Sequence, residues 1–131
     1  MKQDDCDIDV LIVTYRSPER ARRCIQAATD HAAPGTRFWL WHNGEHEETL
    51  HVAREFADHP MVERFHHSVE NVRLRPAMNW LFSESTGAFL SKLDDDAIIM
   101  PDWPAKLVRA HRDEQRFGVL GSWRFLDEDY D

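Results

Sequence analysis

Short apolar runs alternate with helical stretches from one end of this chain to the other, and that alternation limits the fold more than any other feature. Asp7 to Tyr15 reads as a first strand, with Val10-Leu11-Ile12-Val13 apolar on both faces. A helix follows from Ser17-Pro18-Glu19 to about His31. Ser17 suits the N-cap, Pro18 the first helical position and Glu19 the positive end of the dipole. Arg37 to Trp41 is a second strand, closed by an Asn43-Gly44 turn. Glu47 to Ala57 is a second helix, and Val62 to His66 a short third strand. Pro76 to Ser85 reads as a third helix that carries Met78, Trp80, Leu81 and Phe82 and ends at Gly87. A fourth strand runs through Leu93. Trp103 to Glu114 is a fourth helix and Gly118 to Phe125 a fifth strand.

Such a pattern predicts an α/β fold: an open, mostly parallel sheet with helices on both faces. With the common order 3-2-1-4, the first and fourth strands are neighbours at the switch point. Ligands bind there, beyond the carboxyl ends of the strands. Thr14-Tyr15-Arg16 then stands beside Asp94-Asp95-Asp96. Three adjacent carboxylates repel one another, and a bound divalent cation would offset that repulsion. In an extended segment Asp94 and Asp96 share one face, and two oxygen donors suit Mg²⁺ or Mn²⁺. The competing reading is a solvated acidic turn.

The residue content narrows the function further. At 131 residues, 42% hydrophobic and 31% charged, this is one globular domain. A net charge of −8 argues against a nucleic-acid backbone binder. Cys6 and Cys24 are too few for a disulfide scaffold, and Met1 to Asp5 is not a signal peptide, so the expectation is a cytoplasmic protein. No apolar run approaches a transmembrane length. His42 and His46 are spaced i, i+4 across a turn, which does not make a zinc site. The five tryptophans, Trp103 and Trp123 among them, read as mostly core. There is no Walker A loop and no dinucleotide fingerprint, and Thr14 to Pro18 holds no glycine. Phosphate must then be held by something other than a glycine-rich backbone cradle; a metal on the aspartates could do this, with Arg73 and Arg75 as candidate fork donors.

Val10 to Ser17, Asn43-Gly44, Asn71, Asn79, Leu93-Asp94-Asp95-Asp96 and Met100 to Trp103, in that order, resemble the family 2 glycosyltransferases of the GT-A fold. The likeness covers roughly residues 8 to 125, and the triplet resembles that family's DxD motif. It implies a Rossmann-like GT-A domain and a metal-dependent, inverting enzyme that uses a nucleotide-sugar, with UDP the expected nucleotide and the acceptor unknown. It implies that Thr14, Tyr15, Arg16, Asn43, Arg73, Asp94 and Asp95 hold the nucleotide. Tyr15 would cover the base, and the Asn43 carbonyl would accept the uracil N3–H. Asp96, with Asp94, would ligate Mn²⁺ or Mg²⁺, and Asn79 would hold the third helix against the aspartate loop. An inverting transferase also needs a general base. In the family that base comes from a second half. Asp127, Glu128 and Asp129 read instead as a solvated tail. Residues 1–131 are therefore expected to be a donor-binding domain lacking the acceptor-binding half. A non-catalytic nucleotide-binding or interaction domain on the same fold is the alternative.

Overall fold

The computed structural model describes residues 5–97 and 99–121. Four strands alternate with four helices: β1 Ile8–Thr14, α1 Pro18–Asp30, β2 Thr36–Asn43, α2 Glu47–Ala57, β3 Val62–Ser68, α3 Arg75–Glu84, β4 Phe89–Asp94 and α4 Trp103–Asp113. All pairings are parallel, and the sheet order is β3-β2-β1-β4, as the strand pattern predicts. The β1–β4 register pairs Val13 with Asp94, so the aspartates do follow the strand beside β1. No fifth strand is seen among the described residues; Gly118–Gly121 is irregular, and residues 122–125 lie outside them.

Alternation along β1 and β2 sorts side chains into two cores. Ile8, Val10, Ile12, Phe38 and Leu40 face α1, α2 and α4, where Cys24, Ile25, Val52, Phe56, Trp103 and Val108 close the larger core. Leu11, Trp39 and Trp41 face α3, which seals them with Ala77 and Leu81. Nearly every β1 side chain is buried because the strand has neighbours on both edges and helices on both faces. Phe82 is 59% exposed, because a single helix on that face turns its Ala77–Leu81 stripe inward. One local expectation changes. Ser17 makes no side-chain cap; its carbonyl simply accepts the Ala21 N–H at 3.0 Å.

Gly87 does not terminate α3. Ser85, in extended conformation, is the C-cap. Gly87 instead lets the chain pass close to a buried charge on β1: a Cβ there would stand 2.8 Å from Asp9 Oδ2 and 2.9 Å from Arg37 Nη2. Asp9 is 1% exposed. Arg37 Nε donates to it at 2.6 Å, Gly87 N–H at 3.0 Å, and the Ser85 hydroxyl also donates. Burial by itself would raise the Asp9 carboxyl. Those donors outweigh it and hold the group below its ordinary value. This network ties the start of β4 to β1 and so fixes where β4 ends.

Candidate functional site

The carboxyl ends of the strands carry a polar layer over the larger core. Thr14, His42 and His67 lie opposite one another on β1, β2 and β3. Thr14 Oγ1 and His42 Nδ1 are 2.9 Å apart, and both side chains are buried. His67 Nε2 lies 2.7 Å from the Gly44 carbonyl, which can only accept, so that nitrogen bears the hydrogen. His42 Nε2 is buried and has no hydrogen-bond partner among the described residues. Burial, reinforced by neighbouring His67, pushes the His42 imidazole down to about 4. Thr14 is thus part of this layer, with its hydroxyl engaged, and does not line an open pocket.

Asn43 also differs from expectation. It is the last residue of β2 and is 2% exposed. Its Oδ1 accepts from Trp41 Nε1 at 2.9 Å and from the Val72 N–H at 3.3 Å, and its Nδ2 donates to the Arg73 carbonyl at 3.0 Å. An oxygen that already accepts two hydrogen bonds inside the protein is not available to a uracil edge. Asn43 instead fastens the segment after β3 to the end of β2. Arg73 is left exposed after β3 in a left-handed conformation, φ +63°. Arg75 and Asn79 are exposed on α3, and Asn79 makes no side-chain hydrogen bond to the aspartate loop among the described residues.

Above Asn43 lies an open cleft of about 530 Å³, built from the loops that follow β1, β2 and β3. Tyr15 and Arg16 form one side, Gly44, Glu45 and His46 another, and Val69 and Asn71 the third. The Tyr15 ring packs against Gly44, whose φ of +85° makes the sharp turn out of β2. Arg16 stacks over the same ring, 5.3 Å from its centroid, and holds φ +39°, a costly conformation for a side-chain-bearing residue. Tyr15 therefore presents an aromatic wall to the cleft. Glu45, His46 and Asn71 in this cleft had no assigned role in the sequence reading. Their signal was an acidic residue directly after the Asn-Gly turn at a strand end. A larger groove of about 1010 Å³ between α1 and α2 shares only Glu45 with the cleft and is walled by helix side chains, away from the loops after β1 and β3.

The aspartates sit on the other side of β1. Here the extended-strand reasoning needs correction: β4 ends at Asp94, and Asp95 and Asp96 lie in a turn closed by the Ala97 N–H on the Asp94 carbonyl at 3.0 Å. Strand alternation therefore does not set their directions. The turn rests on α1, where Cys24 Sγ donates to the Asp94 carbonyl at 3.3 Å. Burial, then the charges of Asp95, Asp96 and Asp94, drive the Cys24 thiol up to about 12. Burial and Asp96 also raise Asp95, against an opposing pull from Arg20. Lys92 is ion-paired with Asp94. Asp94 and Asp96 are both exposed. Among the described residues no group of three or more His, Cys, Asp or Glu side chains could hold a metal ion. Two exposed carboxylates, Asp94 and Asp96, thus stand at this turn, hard oxygen donors of the kind Mn²⁺ and Mg²⁺ take.

The chain matches Glycosyl transferase family 2 over residues 9–130. It belongs to that family. Among solved structures, the mannosyltransferase PcManGT from Pyrobaculum calidifontis, in complex with GDP-Man and Mn²⁺, is similar: the TM-score is 0.72 at 18% identity, over 85% of this chain and 35% of that one. This family 2 chain thus spans about a third of that protein's length and shares its fold. No curated protein matches the sequence. No helix among the described residues is long and apolar enough to cross a membrane.

Proposed function

We propose that residues 1–131 form the donor-binding domain of a metal-dependent, inverting glycosyltransferase that takes a nucleoside-diphosphate sugar. One observation carries the reading. The sheet order puts an aromatic-walled cleft over β2 and β3 and an exposed acidic turn after β4, with the Tyr15-Arg16 loop of β1 between them. Two strand spacings, roughly 10 Å, separate the two halves. A nucleotide lying across the β1 loop would set its base against Tyr15 and its diphosphate at Asp94–Asp96. The similar mannosyltransferase, in complex with GDP-Man and Mn²⁺, supports both the class of donor and the cation.

Each part of the chain has a separable task. Tyr15, braced by Gly44 and Arg16, offers a flat face to a base. Arg16 and Arg73, both on exposed loops, would meet phosphate oxygens. Asp96 and Asp94 would hold Mn²⁺ or Mg²⁺. A divalent cation there supplies Lewis-acid stabilisation of the departing diphosphate. Asp95, half-buried and raised by burial and by Asp96, would sit beside the nucleotide between the two ligating aspartates. In a protein of net charge −8, a cation also makes this end of the sheet attractive to an anionic donor. The acceptor site and the base that takes the acceptor's proton belong, on this reading, to a further region; Asp127, Glu128 and Asp129 lie outside the described residues.

Isothermal titration calorimetry with GDP and UDP, with and without Mn²⁺, tests the reading. It predicts binding that needs the metal and is lost in Asp96→Ala with the fold intact. Binding that ignores Mn²⁺, or no nucleotide binding by folded protein, would overturn it.

A further inference from the structure

We infer that Glu45 selects the nucleobase in the Tyr15 cleft and selects guanine. The inference rests on the donor-site reading above and adds to it the identity of the base. The expected reader, Asn43, lies buried beneath the cleft with its oxygen accepting from Trp41 and Val72 and its amide donating to Arg73. Base identity therefore falls to the polar groups that line the cleft itself. Glu45 is one of them, exposed at the turn out of β2, with no ion pair or side-chain hydrogen bond among the described residues. Across the cleft, Asn71 Oδ1 accepts the Arg73 N–H at 3.0 Å. That bond fixes the amide's orientation and leaves its NH₂ group as a donor.

The cleft thus offers a carboxylate acceptor together with an amide donor. Guanine complements this pair. Its N1–H and N2–H₂ are adjacent donors for one carboxylate, and its O6 is an acceptor for the amide. Uracil presents one N–H between two carbonyl oxygens, and a carboxylate repels both. Adenine presents one amino group beside an unprotonated ring nitrogen, which faces the carboxylate acceptor to acceptor. Charge-assisted, two-point hydrogen bonding is the stronger kind, and a site built to hydrogen-bond a donor strongly rejects analogues that lack it.

The test is competitive calorimetry on the 131-residue protein in saturating Mn²⁺ with GDP, UDP and ADP. It is run on the wild type, Glu45→Gln and, as a charge control in the first turn of α2, Glu48→Gln. Circular dichroism confirms that each exposed substitution leaves the fold unchanged. GDP should bind at least about tenfold tighter than UDP or ADP. Glu45→Gln should weaken GDP about tenfold and bring the GDP-to-UDP ratio close to one, because glutamine can pair with either base. Glu48→Gln should leave the ratio unchanged. Equal or tighter UDP binding in the wild type would overturn the inference while leaving the donor site standing. An unchanged ratio in Glu45→Gln, or the same change in Glu48→Gln, would also overturn it. Failure to bind any nucleotide would remove the donor-site reading and this inference with it.

Discussion

Asn43 shows how one side chain can support a site without touching its ligand. Its carboxamide satisfies the indole N–H of Trp41, the N–H of Val72 and the carbonyl of Arg73, all at the closed end of β2. Replacing it with alanine leaves the buried Trp41 N–H without a partner and releases the segment after β3. Leaving a buried donor unsatisfied costs about 1–3 kcal/mol, so Asn43→Ala should lower stability by about 2–3 kcal/mol in urea unfolding. A base-reading role predicts the opposite pattern, with stability unchanged and nucleotide preference altered. The sequence could mark Asn43-Gly44 as a turn at a strand end. It could not reveal that the amide points back into the protein, because its partners lie on β2 itself and on a segment some thirty residues away. Glu45 went unassigned for the same reason: an exposed acid after a turn looks like any solvated residue until the cleft is seen around it.

Among the elements, β1 to β3 end in a row of polar side chains, and one of them should control the acid stability of the sheet. His42 is fully buried and, with its imidazole pushed down from 6.5 to about 4, stays neutral in the folded protein at ordinary pH. The unfolded chain takes up that proton first, near pH 6.5. Stability is therefore greatest above pH 6.5 and falls as the pH drops toward 4, by about 3 kcal/mol over the full window. Asp9, held below its ordinary value, loses its contribution only at lower pH. Urea melts between pH 7 and pH 4.5 should show the decline in the wild type and a flatter profile in His42→Gln; identical profiles would remove His42 from this role. The element boundaries were legible to within a few residues, since apolar runs, Pro at helix starts and the Asn-Gly turn all act locally. The turn at Asp95-Asp96 was not. A strand continues only while it has partners and a reason to stay extended, and β1, the only strand paired with β4 among the described residues, gives way to a loop after Thr14.

For the whole molecule, alternation pointed to a doubly wound parallel sheet, and the order β3-β2-β1-β4 is the common one taken for such a sheet, which admits few arrangements. That order places the acidic turn and the aromatic cleft on opposite sides of the β1 loop, which is the basis of the proposed function. It also explains the expectation that failed: assigning uracil recognition to Asn43 needed side-chain directions that strand order does not contain. The central claim is that Asp94 and Asp96 form half of a cation site whose other half is the nucleotide's diphosphate. The lack of a three-donor cage among the described residues makes that claim quantitative. Coupling between two ligands is reciprocal, so the nucleotide must strengthen Mn²⁺ binding as much as Mn²⁺ strengthens the nucleotide's. Electron paramagnetic resonance titration of free Mn²⁺ against the protein, with and without a nucleoside diphosphate, measures this directly. The account predicts weak Mn²⁺ binding alone, tightening at least about tenfold with the nucleotide beyond the nucleotide's own chelation and disappearing in Asp96→Ala. Mn²⁺ affinity that is the same with and without nucleotide, or unchanged in Asp96→Ala, would contradict it.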